Sequence, residues 1–440
     1  MILSAAPAIS PGTLFERSQS FVGLLAFILI CFLIGRLRGV RSFPMRVIIW
    51  GLILQFGFGA IVVFSPELLR VVQDAIQQLL DFSNAGARLI FGSLIDWVVP
   101  AKDADGKTVG VVMLAASFAF SVLPTIIFVS MLTAILYHIG LLTWVVHGLA
   151  WIMRRTMKCS GAETLSTAAN IFVGQTEAPL IVRPFLAGAT QSELMAIMVG
   201  GFANIATGVL VVYTDLLKDY VQNVGGHLAA ACFISAPATL MVSKLIMPET
   251  ATPHTVGGVE FKVERADANL IDAATRGTSE GLALAVNVGA MLIAFTALVA
   301  LIDALIGGVG GWFGVPALSL ERILGVVAAP LAWLCGIPWP DCPKVGGLIG
   351  MKTVLNEFIA YNEMGQQFRT NPSYLSPRSA LIATYALCGF ANFASVGIQI
   401  GGISVLAPTR RKDLSRIGLL AMLGGAIATM MGACVVGVLI

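Results

Sequence analysis

Long apolar runs separated by short polar segments make up most of this chain. Eight of the runs approach the roughly 20 apolar residues that a helix needs to cross the hydrocarbon core of a bilayer. Their approximate limits are 20–36, 47–64, 117–142, 192–213, 228–246, 281–306, 380–405 and 417–440. The pattern predicts an all-α integral membrane protein with eight transmembrane helices.

Two further apolar segments, at about 160–187 and 340–366, are interrupted near their centres by Gly, Pro or polar residues. Broken backbone at membrane depth is tolerated only where protein buries it or where it lines a wet cavity. The eight spans keep a consistent orientation if each segment enters and leaves on the same side. The sequence therefore predicts two re-entrant helical hairpins, the first open to the cytoplasm and the second to the outside, in an inverted repeat.

Basic residues cluster in three connecting segments, and cytoplasmic loops carry an excess of Lys and Arg. The clusters are Arg36, Arg38, Arg41 and Arg46; Arg154, Arg155 and Lys158; and Arg410, Arg411, Lys412 and Arg416. Segments at the opposite ends of the spans, such as 102–107 and 215–219, carry mixed charges. This asymmetry predicts a multi-pass protein of the cell inner (plasma) membrane with both termini outside.

In residues 66–82, apolar residues recur at helical spacing and polar residues fill the opposite face. This pattern predicts an amphipathic helix at the membrane interface. That helix is interpreted either as a packing element without a further role or as a contact between subunits. The polar stretch 247–279 is interpreted as a cytoplasmic loop. The predicted organisation is scaffold helices with the interfacial helix at 1–142, a first transport repeat at 143–246, the cytoplasmic loop and a scaffold span at 247–317, and a second transport repeat at 318–440. Each repeat contains one hairpin and two spans.

Composition agrees with a membrane class, because 57% of the residues are hydrophobic and only 12% are charged. The mean hydropathy is +0.88. A net charge of +3 gives no reason to expect a nucleic-acid partner. Seven cysteines lie mostly in apolar runs without CxxC spacing, which predicts buried free thiols.

Three sequence blocks occur twice in the same order along the chain. Leu-Ala-Trp stands at 149–151 and 331–333, and Gly-Phe-Ala-Asn at 201–204 and 389–392. Between them, the polar segment Asn170–Pro179 has its counterpart around Glu357. In a membrane chain, a duplicated unit with carboxylates and amides at its breaks is typical of a secondary transporter site.

Glu177 and Glu357 stand at matched positions in otherwise apolar surroundings. A carboxylate inside the membrane is expensive and indicates a functional site with a partner. The alternative is that these polar groups satisfy only the broken backbone around them.

The side chains near each Glu suit different parts of a polar ligand. Gln175 and Thr176 beside Glu177 supply an amide, a hydroxyl and a carboxylate, which suit the mixed donor and acceptor edge of a heterocycle. Asn392 and Ser395 with Glu357 suit vicinal hydroxyls.

Two asparagines near the breaks favour a cation site. Asn170 precedes the first hairpin tip, and Asn204 begins a disrupted stretch of the next span. Together with the carbonyls of Val173 and Ile205 they can enclose a small ion, since unwound segments supply carbonyl ligands. The alternative is that the two asparagines form hydrogen bonds between helices.

The blocks at 170–179, 201–209, 352–358 and 388–395 closely resemble the signature of the concentrative nucleoside transporter family in its shorter bacterial form, and the likeness covers nearly the whole chain. The resemblance implies a homotrimer in the lipid bilayer with an elevator-like moving domain. It assigns Gln175, Thr176 and Glu177 to the nucleobase, Glu357, Asn392 and Ser395 to the ribose, and Val209 and Phe390 to apolar walls. Asn170, Val173, Asn204 and Ile205 match the family's sodium positions, although sodium-coupled bacterial members have a small hydroxyl residue where Asn204 stands.

The sequence thus predicts a symporter, not an enzyme, that imports nucleosides with sodium as the coupling ion. One alternative is coupling to a proton carried by Glu177 or Glu357. An intramembrane hydrolase is ranked lower because the sequence shows neither metal-ligand spacing nor a Gly-x-Ser-x-Gly nucleophile motif. A passive channel is disfavoured because hairpins that enter from opposite sides suit alternating access.

Overall fold

The computed structural model describes residues 12–40, 43–92, 98–102, 108–113, 118–255, 267–312 and 318–440. Within these ranges the chain forms eighteen α-helices and one short antiparallel hairpin. The helices of the first half are α1 (Leu14–Leu37), α2 (Met45–Phe64), α3 (Pro66–Phe91), α4 (Phe118–His138), α5 (Leu141–Met157), α6 (Gly161–Ala169), α7 (Ala178–Ile181), α8 (Arg183–Leu186), α9 (Gln191–Ala203), α10 (Thr207–Leu217) and α11 (Val224–Ile246).

The second half begins with the longest helix and ends with a long buried one. Its helices are α12 (Leu270–Trp312), α13 (Leu320–Leu334), α14 (Cys342–Val354), α15 (Glu357–Thr370), α16 (Pro377–Leu387), α17 (Phe393–Leu406) and α18 (Arg411–Leu439). A short β-hairpin pairs the antiparallel strands β1 (Val98–Lys102) and β2 (Thr108–Met113). The predicted mixed-charge loop at 102–107 lies mostly outside the described residues, as do the first residues of the chain and 256–266 of the predicted cytoplasmic loop.

The helical membrane fold predicted from the apolar runs is confirmed. In the described ranges, five helical stretches are long and apolar enough to cross a membrane: 14–37, 45–64, 191–217, 224–246 and 408–439. The other predicted spans fall on α4, on part of α12 and on the broken pair α16–α17.

The predicted third span, 117–142, ends earlier than expected. Gly140 adopts a left-handed conformation (φ 86°) after α4, and the chain bends by 73° into α5. Helix α5 was not predicted, and Trp144 and Trp151 on it are exposed. Two other elements are longer than their patterns suggest: α3 continues to Phe91, and α12 begins inside the stretch interpreted as a loop.

Each half of the chain contains two broken helical units where the sequence places its polar blocks. In the first half, α6 and α7 are separated by residues 170–177, and α9 and α10 by residues 204–206. In the second half, α14 and α15 are separated by residues 355–356, and α16 and α17 by residues 388–392. The predicted hairpins therefore appear as helix–break–helix units, and each is followed by a second broken unit.

Capping residues explain where several of these helices begin. Ser160 and Glu163 form a capping box at α6, and Thr190 and Glu193 form another at α9. The boxes are joined, because the Ser160 hydroxyl donates to Glu193 Oε1 at 2.6 Å. Lys244 of α11 lies 2.6 Å from Glu163 Oε2. These bonds hold α6, the first arm of the first helical hairpin, against α9 and α11.

The core lies around α9, α10 and α11, and α18 packs against it. The apolar windows of 191–217 and 224–246 are 89% buried, whereas that of α2 is only 22% buried. Helix α2 therefore offers an outer surface suited to lipid or to another subunit. All seven cysteines are buried and free, as predicted.

Candidate functional site

Glu357 is the most fully engaged carboxylate at the predicted site. It opens α15 directly after Asn356, whose side chain caps the helix through Ile359 N at 2.9 Å. Glu357 is 5% exposed, so its carboxylate lies inside the protein. The Tyr213 hydroxyl donates to Oε1 at 2.9 Å, and Asn392 Nδ2 donates to Oε2 at 3.1 Å. Two donors suit the ionised carboxylate, which accepts hydrogen bonds on both oxygens.

Asn392 and Ser395 are fixed by the start of α17. The side chain of Asn392 caps this helix, because its Oδ1 accepts the Ser395 backbone N–H at 2.8 Å. This bond turns the Asn392 Nδ2 group toward Glu357. The Asn392 side chain thereby caps α17 with its oxygen and bonds Glu357 with its nitrogen.

Gln175 connects the first hairpin to this group. It is 8% exposed, and its Nε2 donates to the Ser395 hydroxyl at 3.2 Å. The structure therefore brings Gln175, Ser395, Asn392 and Glu357 into one hydrogen-bonded chain. These four residues, separated by up to 220 positions in the sequence, were predicted to bind opposite ends of one ligand.

The next two residues of the hairpin tip are less buried than Gln175. Thr176 and Glu177 are exposed, and Glu177 Oε2 accepts the backbone N–H of Gly174 at 3.1 Å. Thr176 lies beside α17, since a Cβ on Gly402 would stand 3.2 Å from its Cγ2. The structure thus places Thr176 and Glu177 at the rim of the Gln175 cluster, and Glu177 is bonded to the tip's own backbone.

The two predicted apolar wall residues occupy different surroundings. Val209 is 5% exposed on α10, one turn before Tyr213 and on the same face of that helix. Phe390 is half-buried in the break between α16 and α17, two residues before Asn392. Both therefore lie next to residues that bond Glu357.

The four predicted ion ligands are buried, and two of them, Asn170 and Asn204, lie beside Gly200. Thr207 at the start of α10 donates its hydroxyl to the Phe172 carbonyl at 2.6 Å, which joins the break before α10 to the hairpin tip. Asn204 Nδ2 donates to the Gly200 carbonyl at 3.2 Å, and a Cβ on Gly200 would stand 3.1 Å from Asn170 Nδ2. Val173 and Ile205 are 7% and 0% exposed.

The amide oxygens of the two asparagines differ in their bonding. Asn204 Oδ1 accepts the Ser235 hydroxyl at 2.7 Å, an interhelical bond of the kind the sequence left open as an alternative. Asn170 Oδ1 is buried and receives no donor from the described residues. The side-chain oxygens of Ser166, Thr167 and Thr239 are also buried without a described partner. Such oxygens are expensive to leave unpaired, so this region has the chemistry of a neutral-oxygen cation site.

Sequence reasoning missed two side chains of the cluster, Tyr213 and Gln399. Tyr213 stands in an apolar helix, and Gln399 stands in the middle of α17. The only sequence signal was a polar group inside a predicted span, which by itself does not give a partner. Gln399 Nε2 donates to Gln175 Oε1 at 3.1 Å.

The described residues contain no group of three His, Cys, Asp or Glu side chains that could hold a metal ion. Three family profiles match the chain: Na+ dependent nucleoside transporter N-terminus at residues 22–94, Nucleoside recognition (Gate) at 119–219, and Na+ dependent nucleoside transporter C-terminus at 227–437. The chain belongs to the concentrative nucleoside transporter family. This confirms the resemblance predicted from the repeated blocks.

Relatives of this transporter match nearly its whole length. The uncharacterized transporter YutK of Bacillus subtilis is 41% identical over 425 residues, which are 95% of this chain and 98% of that protein. Sodium/nucleoside cotransporter 1 of Rattus norvegicus is 38% identical over 439 residues, which are 96% of this chain and 64% of the rat protein. The transporter is therefore a nucleoside carrier of the membrane and not an enzyme, which removes the hydrolase alternative.

Solved structures of a relative share the fold of this transporter. CNTnw in an inward-facing, substrate-bound state superposes with a TM-score of 0.84 at 36% identity, over 96% of this chain and 97% of that one. A CNTnw variant in an outward-facing state gives a TM-score of 0.85 at 36% identity, with the same coverage.

Proposed function

We propose that this protein is a sodium-coupled nucleoside symporter that imports nucleosides into the cell. The observation that carries the proposal is the hydrogen-bonded chain from Gln175 through Ser395 and Asn392 to Glu357. Its carboxylate end suits ribose hydroxyls, and its amide end suits a nucleobase. Val209 and Phe390 supply apolar surface beside it, while Thr176 and Glu177 contribute from the rim.

Sodium is favoured as the coupling ion by the buried oxygens around Asn170. A neutral-oxygen set suits a monovalent cation and requires no titratable ligand. Asn170 and Asn204 would contribute side-chain oxygens, and Val173 and Ile205 backbone carbonyls. The name of the rat relative, a sodium/nucleoside cotransporter, supports the same ion.

Proton coupling remains the second candidate, with Glu177 or Glu357 as the carrier. Glu177 is exposed at the hairpin tip and meets solvent more readily than Glu357 does. Glu357 suits the ionised form, since both of its oxygens accept bonds. Glu177 is therefore the better proton carrier of the two.

An elevator-type movement of the two repeats against a scaffold is our proposal for alternating access. Solved structures of CNTnw are described as inward-facing, outward-facing and intermediate, so that relative changes its access. The proposed ligand residues come from breaks in both halves of the chain, so a moving unit that contains these breaks would carry the ligand as a whole. We further propose a homotrimer in the cell inner membrane with both termini outside.

Uptake into proteoliposomes tests the function and the ion together. Radiolabelled uridine and adenosine are supplied with an inward sodium gradient, an inward proton gradient or neither. We expect saturable accumulation above the external concentration only with the sodium gradient. Accumulation that persists when choline replaces sodium and collapses without a proton gradient would replace the sodium site by Glu177. Uptake that only equilibrates under every gradient would indicate a passive channel.

A further inference from the structure

Gln399 is a buried residue whose side-chain amide bonds Gln175, one of the residues that we propose bind the nucleobase. It lies in α17, is 1% exposed, and follows Ser395 by one helical turn. Its Nε2 makes two bonds, one to the Met198 carbonyl at 3.2 Å and one to Gln175 Oε1 at 3.1 Å. Both hydrogens of the Gln399 amide are therefore used.

These bonds determine which way each amide faces. The Met198 carbonyl can only accept a hydrogen bond, so the nitrogen of Gln399 must lie on that side. The Gln175 atom that faces this nitrogen must then be its oxygen. Consequently, the amide nitrogen of Gln175 points the other way, toward Ser395.

The orientation leaves Gln175 with one unused hydrogen. Its oxygen is turned toward Gln399, from which it accepts a bond, and one hydrogen of Nε2 goes to the Ser395 hydroxyl at 3.2 Å. The second hydrogen of Nε2 is available to a ligand. Because its oxygen faces the buried Gln399, Gln175 presents its donor nitrogen on the side of Ser395, where we propose that the nucleoside binds.

Packing restricts Gln399 to this position. Ser395, Gln399 and Gly402 share one face of α17, which lies against the first hairpin tip. A Cβ at Gly201 would stand 2.6 Å from Gln399 Nε2, so the glycine of the first Gly-Phe-Ala-Asn block leaves room for the amide. The close approach explains why glycine suits position 201.

We propose that Gln399 is a positioning residue that sets Gln175 as a hydrogen-bond donor and thereby selects nucleosides whose base carries a carbonyl oxygen at its outer edge. The inference rests on the proposed nucleoside site and adds the substrate class to it. Uracil and hypoxanthine present a carbonyl acceptor where cytosine and adenine present an amino donor. An amino group facing Gln175 Nε2 would put two donors together and leave both unpaired.

Competition against radiolabelled uridine uptake in proteoliposomes tests this selectivity. Unlabelled uridine and cytidine share the same ribose and differ at position 4 of the base. We expect half-inhibition by uridine at a concentration about fivefold or more below that of cytidine, the effect of one unpaired polar group. Inosine should likewise compete better than adenosine. Equal competition by uridine and cytidine would overturn the proposal.

Gln399→Met tests the positioning role, because methionine keeps the volume and removes the donor. Gln175 can then turn its amide over, and we expect the ratio of the two half-inhibition values to fall to about one. A parallel loss of affinity for both nucleosides, with an unchanged ratio, would show a merely structural role. Gln55→Met is the matched control, since Gln55 is also buried and bonds only to Gly51 of its own helix among the described residues. A changed ratio in this control would count against the proposal.

Gln175→Glu gives a second readout that does not depend on the folding of Gln399→Met. One carboxylate oxygen still accepts from Gln399 and the other faces the base as an acceptor, so cytidine should now compete better than uridine. Retained uridine preference would contradict the assigned orientation. If wild-type protein takes up no nucleoside, the proposed function fails and this inference with it. Normal uptake without discrimination between the bases would overturn this inference and leave the proposed function standing.

Discussion

At the scale of single residues, Glu357 joins the two repeats. Its oxygens take one bond from Tyr213 of the first repeat and one from Asn392 of the second. A ribose that enters this site must share or replace these donors. The carboxylate thus links α10 to the start of α17, and it is also the sugar ligand that we propose.

Replacing Glu357 by Gln should leave a folded protein that scarcely transports. A neutral amide loses the charge-assisted bonds to the ribose, which are worth about 1.5–3 kcal/mol each. Binding of uridine by the purified variant should therefore weaken by roughly tenfold or more. Deoxynucleosides, which lack one hydroxyl, should lose less affinity than ribonucleosides do.

Tyr213→Phe provides the control for the Glu357 variant. It removes one donor to the carboxylate while keeping the ring, so its effect should be smaller than that of Glu357→Gln. Combined with Glu357→Gln it should add little, because the two residues act through the same bond. Wild-type uptake by Glu357→Gln would refute the sugar-side assignment.

At the scale of elements, α12 packs on α4 through a row of small residues. Ala273, Gly277, Gly281, Ala285 and Gly289 recur every four positions and share one face of α12. A Cβ at Gly277 would stand 2.6 Å from Ala134 Cβ and 2.9 Å from Met131 Cα. Small residues allow helix backbones to approach this closely in membranes, so the two helices form a tight pair.

Gly277→Ala should destabilise this pair. Added volume at a close contact costs about 1–3 kcal/mol, more than the roughly 0.5–1 kcal/mol that alanine contributes to a helix interior. The melting temperature of the detergent-purified protein should fall by several degrees. The matched control is Gly308→Ala, also in α12, where no atom lies within 4 Å of an added Cβ. We expect that variant to melt at or above the wild-type temperature, and equal melting of both variants would argue against tight packing.

At the scale of the whole molecule, the proposed ion site shares its broken units with Gln175, the part of the proposed nucleoside site that lies in the first half of the chain. Gln175 and Asn170 belong to one break, and Asn204 to the next. Ion binding that orders this tip would raise nucleoside affinity, and the coupling must be reciprocal. One monovalent cation that moves through about 100 mV releases roughly 2.3 kcal/mol, and a tenfold gradient adds about 1.4 kcal/mol. Together these allow accumulation on the order of several hundredfold.

Asn204→Ala should raise the sodium concentration that supports half-maximal uptake, by roughly tenfold for the loss of one polar ligand. Asn204→Ser should retain sodium dependence, since serine again supplies an oxygen at this position. Asn287→Ala, at an exposed position of α12, is the control and should behave as wild type. If Asn204→Ala leaves the sodium dependence of uptake unchanged, Asn204 is only the interhelical partner of Ser235.

The amino-acid sequence alone determined the membrane class, the helical fold, the duplicated unit and the family. These follow from long-range composition and from repeated blocks such as Gly-Phe-Ala-Asn, which need no knowledge of contacts. The positions of the breaks were also predictable, because Asn, Gly, Pro and Glu interrupt apolar runs there. Even the caps of α6 and α9 can be read from Ser160 and Thr190, each three residues before a Glu.

Only the tertiary structure decided how the polar side chains pair. Tyr213 and Gln399 stand in apolar helices, and their local sequence contains nothing that identifies Glu357 or Gln175 as partners across 144 and 224 positions. The bend at Gly140 likewise depends on a left-handed backbone that the apolar pattern does not record. Hydrophobic periodicity reports which face of a helix is buried, whereas donor and acceptor geometry depends on which helices meet. The orientation of the Gln175 amide follows from the packing of α17 against the first hairpin tip.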